Sequence, residues 1–205
     1  MLIDLKIEAF VNQTAAASPV PGGGSVSALA GALAAALSGM VAALTLGKKG
    51  YEAVEKEMAA LLSKAGVLRH ELTQAVDMDA IAYDTFLSAL KLTQTTPAEK
   101  EAWRRELEAA KKRICDVPMG IASSALEVLD LAATAAGEGR KDIVTDAVVA
   151  VLLSRAALRG ALYNVKFNLR SVTDVSYVQE SLRRAEEMET EAAKKEKRIL
   201  AAIGL

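Results

Sequence analysis

The stretch that decides the fold runs from Ser18 to Tyr51, "SPVPGGGSVSALAGALAAALSGMVAALTLGKKGY". Two prolines bracket a valine, three glycines follow, and no charged residue occurs from Gly22 to Gly47. Three readings compete: a membrane span, a phosphate loop, and a core helix whose amino end is shaped to hold something. Ser25 to Leu46 meets the length rule for a span, which takes about 20 apolar residues. Its composition argues otherwise. Ala, Gly and Ser carry little transfer energy, and neither an aromatic belt nor a basic flank marks the amino end. The expectation is a central helix packed on all sides. Ser27, Gly31, Ala35, Gly39 and Ala43 recur at every fourth position of it. They form one stripe of small side chains that lets a second helix come close, within the chain or across a dimer.

The nucleotide reading fails on particulars. No Gly-Lys-Ser/Thr follows the glycines, Ser27 stands where a dinucleotide fingerprint has its last glycine, and no strand precedes them. Three glycines after two prolines are still more than a turn needs. Beside a helix start they leave amide N–H groups free, against which a carboxylate or phosphate can settle. Gly22, Gly23, Gly24 and Ser25 are therefore candidate ligand-holding residues, with Ser25 as the helix cap after the glycines. At the other end of the helix, Lys48 and Lys49 either complement its negative carboxyl terminus or bind an acidic group.

Outward from this stretch, apolar residues recur at three and four, and no useful run alternates with period two, so the chain reads as all-α. The first helix spans about Ile3 to Ala16, and the glycine-led helix ends near Gly47 and Gly50. A helical region from Tyr51 to about Leu92 has a candidate break at Gly66. In "TTPAE", Thr96 is a cap, Pro97 takes the first helical position and Glu99 closes a capping box. Pro118 predicts a kink. "AAGEGRKD" is a turn, and a fifth helix runs from about Asp142 to Ser171. In "DVSYVQ", Ser176 with Gln179 offers a second capping box. A charge-laced and largely solvated helix reaches about Ala202. Without repeat or linker, residues 1–205 make one domain, a bundle of long helices.

The 205 residues are 52% hydrophobic, carried by Ala, Leu and Val, with a formal charge of −1. No basic tract interleaved with aromatics appears, which argues against a nucleic-acid partner. Cys115 stands alone, so no disulfide framework or Cys-rich zinc site can form, and no metal cluster is visible. With no secretory leader before the first helix, a reducing cytoplasm is the expected compartment.

Polar residues on apolar stripes carry the chemistry, because burying one costs free energy unless a partner or ligand satisfies it. In "RHELTQAVDMDAIAYDTFLSALKL", Leu72, Ala75, Asp79, Tyr83, Phe86 and Leu90 share one sector. His70, Asp77, Asp84, Ser88 and Lys91 gather opposite. Asp79 is the misplaced carboxylate, and Tyr83 lies one turn on. Asp79 either meets a ligand or pairs with an Arg or a backbone donor. His70, on the polar face, reads as a surface residue. In the fifth helix, Asp146, Leu153, Ala157, Asn164 and Asn168 line one face, with Arg155, Arg159, Lys166 and Arg170 opposite. The two amides either read the edge of a heterocycle or bond across a dimer seam.

Taken together, "SPVPGGGSVSALAGALAAAL", "LTLGKKGY", "DMDAIAYD" and "ALYNVKFNL" resemble the formiminotetrahydrofolate cyclodeaminase and methenyltetrahydrofolate cyclohydrolase family. The likeness covers nearly the whole chain and is most specific in the Pro-Gly-Gly-Gly-Ser loop. "GEGRKDIVTD" departs from the Gly-Asn-rich turn and Ser-Asp of the family, and Thr145 and Asp146 keep the last two positions only by similarity. The resemblance implies an all-helical dimer, like the free-standing bacterial form, acting at the N5,N10 bridge of a folate. Tetrahydrofolate is then the carried substrate, with no further cofactor and no membrane partner. On that footing Asp79 stabilises the cationic bridge, while Tyr83 or one of Lys48 and Lys49 handles protons. The glycines and Ser25 hold the ligand by backbone amides, Asp146 lies on the helix-five side, and Asn164 and Asn168 meet the pterin. The rival expectations are a non-catalytic helical dimerisation protein and a pterin-binding module without turnover.

Overall fold

The uncharged stretch folds as one helix, Gly23–Thr45, in a computed structural model that describes residues 1–204. Numbered in chain order, the long elements are α1 (Ile7–Thr14), α2 (Gly23–Thr45), α3 (Glu55–Leu90), α4 (Pro97–Glu138), α5 (Val144–Asn168) and α6 (Val175–Ile203). Short 3-10 turns join several of them, and no strand occurs among the described residues. The all-α reading therefore holds. α2 is the hub, packed against α3, α5 and α4, with α6 laid over α4 and α5.

The small residues of α2 explain how tightly it packs. A β-carbon on Gly31 would stand 3.2 Å from the Leu72 methyls of α3, and one on Gly39 would stand 3.3 Å from the Ala65 β-carbon. Across the α2–α5 contact the roles reverse, since a methyl on Gly160 would collide with the Ser27 hydroxyl. The stripe thus serves contacts within the chain. The expectation of a helix packed on all sides needs correction, because Val26, Leu33, Met40 and Leu44 remain exposed along its outer edge. α2 is long and apolar enough to cross a membrane by length and composition, yet 56% of that window is buried inside the bundle.

One core draws on every long helix, from Phe10 of α1 through Val41, Met58, Leu72, Leu129, Val151 and Leu158 to Ile199 of α6. Burying each large side chain contributes about 1.5–3 kcal/mol.

Several boundaries differ from the sequence reading, each for a physical reason. The first helix shortens to Ile7–Thr14 behind a separate turn, Leu2–Asp4. α2 begins at Gly23 with Gly22 as its N-cap, so Ser25 lies inside the first turn and is no cap. Helix α3 runs through Gly66 unbroken, since a single interior glycine costs only about 1 kcal/mol. The expected Thr96–Glu99 box is present, with Thr96 N–H donating to Glu99 at 2.8 Å and Glu99 N–H to the Thr96 hydroxyl at 3.2 Å. The last helix is capped by Asp174, not Ser176. Asp174 accepts from the Tyr177 N–H at 3.1 Å, and the Ser176 hydroxyl donates to the same carboxylate at 2.7 Å.

Pro118 sits buried inside α4, which continues across it as one helix. Its missing N–H leaves the Ile114 carbonyl without the usual partner four residues on. The Asn168 side chain fills that role, donating to the Ile114 oxygen at 2.7 Å.

On the opposite side of α5, Arg155 is buried, with both guanidinium NH2 groups on Glu189 at 2.7 and 2.9 Å and its Nε on Glu196 at 3.1 Å. That fork fastens α5 to α6.

Candidate active site

The amino end of α2 carries no side-chain cap, so the amides of its first turn look outward past Gly22 and Gly23. The carboxylate of Asp79, from the middle of α3, occupies this place. A β-carbon on Gly24 would overlap the Asp79 carboxyl group, so only glycine lets the two helices meet here. The Ser25 hydroxyl reaches Asp79 Oδ2 at 3.1 Å and the Val76 carbonyl at 2.9 Å. The sequence raised the prospect of a ligand anion at this helix end, and the protein's own carboxylate already lies there.

Two effects oppose each other at Asp79. Burial raises its pKa above the ordinary 3.8, while the Ser25 hydroxyl and backbone amide pull it down; burial is the larger. The helix dipole favours the anion in the same position. Asp79 is thus a carboxylate partly withdrawn from water, without a salt-bridge partner among the described residues.

Asn164 of α5 completes this end. A β-carbon on Gly23 would stand 3.3 Å from its amide nitrogen, which donates to the Gly160 carbonyl at 2.9 Å. Its oxygen remains an acceptor beside the glycines. Tyr83 lies one turn beyond Asp79 on the same side of α3, half-buried, its ring 6.3 Å from that of Phe86. Gly22, Gly23, Gly24, Ser25, Asp79, Tyr83 and Asn164 are brought to one end of the bundle. Asn168 is one turn further along α5, with its amide nitrogen engaged by Ile114.

Lys48, Lys49 and Asp146 lie elsewhere. Lys48 and Lys49 follow α2 at its carboxyl end, beyond Gly47, whose φ of +68° turns the chain. The 23 residues of α2 separate them from the glycines by about 34 Å. Asp146 is in the first turn of α5, about 27 Å from Asn164 along that helix. The two ends are joined structurally: the Arg140 N–H donates to the Thr45 hydroxyl at 3.1 Å and the Lys141 N–H to the Tyr51 hydroxyl at 3.2 Å. This places Lys48 near Asp142, whose carboxyl is held low chiefly by Arg140 and slightly by Lys48.

Sequence periodicity misplaced Asp77. It is buried, accepting the Leu2 N–H at 2.6 Å, with its second oxygen unpaired. The amino-terminal arm covers that side of α3, a contact across 75 residues that helical spacing does not register.

Comparison with known proteins identifies the family. The family described as formiminotransferase-cyclodeaminase matches residues 6–187. The chain belongs to this family. It is 37% identical over 197 residues to a methenyltetrahydrofolate cyclohydrolase of Methylorubrum extorquens, covering 96% of this chain and 95% of that one. It is 30% identical over 202 residues to the formimidoyltransferase-cyclodeaminase of Rattus norvegicus, spanning 98% of this chain but 37% of the longer protein. The formiminotetrahydrofolate cyclodeaminase of Thermotoga maritima superposes with a TM-score of 0.87 at 29% identity, over 97% of this chain and 96% of its own. As a member of the formiminotransferase-cyclodeaminase family, the chain is an enzyme, and a sizeable groove lies apart from its Asp79 carboxylate. That groove, about 910 Å³ between α3 and α4, is lined by Ala75, Met78, Arg113 and Asp116 and does not include Asp79.

Proposed function

We propose that the enzyme hydrolyses 5,10-methenyltetrahydrofolate to 10-formyltetrahydrofolate at the Asp79 end of the bundle. The observation that carries this is the Asp79 carboxylate, held out of water against Ser25 and Gly24 at the start of α2. The methenyl bridge is a delocalised cation. A partly buried carboxylate stabilises it and takes a proton from the attacking water, a role worth about 100-fold to 10,000-fold in rate. An oxygen–carbon bond forms at the bridge, the N5–carbon bond breaks, N5 gains a proton, and one proton is released. Asn164 beside Gly23 is proposed to meet the pterin edge, with Tyr83 near the reacting carbon. Gly22, Gly23 and Ser25 keep the cradle open to substrate. Asn168 supports this wall of the site through Ile114, with its amide oxygen left for the ligand.

Cyclodeamination of 5-formiminotetrahydrofolate is the second reading, favoured by the likeness to the Thermotoga maritima protein. There N10 attacks the formimino carbon, that carbon loses its nitrogen as ammonia, and one proton is taken up. The same carboxylate would stabilise the same cation as it forms. Tetrahydrofolate is the carried substrate in both, with no further cofactor. The proposed assembly is a cytoplasmic homodimer, supported by the apolar side chains left open on α2 and α5 and by the lone, buried Cys115.

The test follows the near-ultraviolet absorbance of methenyltetrahydrofolate with purified protein, beside a parallel assay with formiminotetrahydrofolate. Asp79→Ala is expected to abolish turnover while leaving the helical circular dichroism intact. A fully active Asp79→Ala protein would remove the mechanism. Folate that shifts the melt without turnover would instead mark a binding module, and no shift at all a non-catalytic helical protein.

A further inference from the structure

The hydroxyl side chains buried along α2 are those of Ser25, Ser27, Ser38 and Thr45. Three of them return to their own helix: Ser27 donates to the Gly23 carbonyl at 2.7 Å, Ser38 to Ala34 at 3.0 Å and Thr45 to Val41 at 2.7 Å. Ser25 does not. It crosses to α3 and has two oxygens in reach, the Val76 carbonyl at 2.9 Å and Asp79 Oδ2 at 3.1 Å.

A hydroxyl carries one proton and can satisfy only one of these acceptors fully. Ser25 is wholly buried, and a buried donor left without an acceptor costs free energy, so one of the two oxygens has to take its proton at every moment. Charge decides which. An ionised carboxylate outcompetes an amide carbonyl, because a charge-assisted hydrogen bond is roughly twice as strong as a neutral one. A protonated carboxyl has lost that advantage, and the nearer Val76 oxygen then wins. That carbonyl lies inside α3, where the helix supplies it with the Ala80 N–H, so it does not depend on Ser25 and releases the hydroxyl freely.

No charged group among the described residues overrides this choice. α2 brings Ser25 and uncharged first-turn amides to Asp79, and α3 itself adds Tyr83 one turn on. Asn164 of α5 is neutral. On the α4 side, α3 borders a groove that Asp79 does not line, and the amino-terminal arm sits on Asp77.

Resting on the folate reading above, we infer that Ser25 is a positioning residue whose hydroxyl turns with the protonation of Asp79: it donates to the carboxylate while that group is ionised, and to the Val76 carbonyl once Asp79 has taken the proton of the attacking water. In that step a water O–H bond breaks and an Asp79 O–H bond forms. Ser25 keeps its own proton throughout and only rotates. The base is thereby held in its charged, ready form, and the hydroxyl has a second acceptor waiting when the charge is gone.

The titration of Asp79 tests this in the ligand-free protein, read from its side-chain carboxyl carbon by carbon-13 NMR, with Asp79→Asn identifying the resonance. Ser25→Ala removes a donor that serves the charged form, so the midpoint should rise. Ser25→Cys keeps the side-chain shape but donates weakly, and should raise it in the same direction. On the acid side of the kcat/KM profile, Ser25→Ala should fall about tenfold or more below wild type, the worth of one hydrogen bond to a charged group. Melting gives a second reading. The cost of Ser25→Ala should be small in acid, where only the Val76 bond is lost, and should grow as pH rises from the wild-type midpoint to that of the variant, where the carboxylate loses its donor. An unmoved midpoint with a cost independent of pH would show that the hydroxyl stays on Val76 in both states, and would overturn the inference even if folate turnover is normal. A raised midpoint in a protein that turns over neither folate would leave the switch standing and sink the folate reading.

Discussion

The carboxyl group of Asp79 stands where a β-carbon on Gly24 would have to go. One missing methyl lets α3 lay its carboxylate on the amino end of α2. Gly24→Ala should therefore push Asp79 aside and lower kcat/KM by about 100-fold or more, comparable with loss of the acid–base group itself. Gly66→Ala is the control. A β-carbon there meets nothing within 4 Å, so turnover should be unchanged and stability should rise by roughly 0.5–1 kcal/mol in chemical denaturation.

Asp79 also trades stability for function. Burial raises its folded pKa above 3.8, so the folded state binds that proton more tightly than the unfolded chain. Its contribution to stability is full below pH 3.8 and is lost as pH rises through the raised value. Asp79→Asn is expected to melt at a higher temperature than wild type at pH 7, with the gap closing toward pH 3.8. The acid limb of the wild-type kcat/KM profile should lie above 3.8, because the ionised form does the work. An Asn variant less stable at pH 7 would contradict the balance of burial over the Ser25 bonds.

Asn168 and Pro118 should behave as a pair. Asn168→Ala leaves the Ile114 carbonyl without a donor and is expected to cost about 1–3 kcal/mol. In a Pro118→Ala background the helix recovers its own N–H, and the same Asn168→Ala change should cost less. Equilibrium unfolding of the four proteins measures the coupling, expected at about 0.5 kcal/mol or more. Zero coupling would show that the amide does not serve that carbonyl.

Arg155 ties α5 to α6 through Glu189 and Glu196. The guanidinium holds the Glu189 carboxyl below its ordinary 4.5, so this stabilisation is present above pH 4.5 and lost as pH falls through the lowered value. Arg155→Ala should cost about 3 kcal/mol at pH 7, the lower end for a broken buried pair because the glutamates are partly exposed. The penalty should shrink in acid. Denaturation at pH 7 and pH 4 checks both statements.

The sequence by itself determined the helices and most of their limits, because helical period and cap chemistry are local. Thr96, Pro97 and Glu99 start α4 by contacts three residues apart, and the apolar period at three and four excludes strands. It also marked Asp79 and the triglycine loop, since a carboxylate on an apolar stripe and surplus glycines before a helix are visible without coordinates. What it did not resolve were interactions made by elements distant in the chain. Ser25 read as a cap from its neighbours, yet its hydroxyl answers to Val76 and Asp79, more than 50 residues away. Asp77 and Arg155 lay on polar sectors of their helices, and only the arrival of the amino-terminal arm and of α6 buried them. Nor did the sequence show that the Asn168 amide nitrogen serves the Ile114 carbonyl of α4, a bond across 54 residues. Only tertiary structure separated Lys48, Lys49 and Asp146 from the Asp79 end, because a helix sets its residues 1.5 Å apart and sequence grouping carries no such distance. The apolar stripe that α2 turns to solvent was likewise fixed by which of its sides α3 and α5 had already taken.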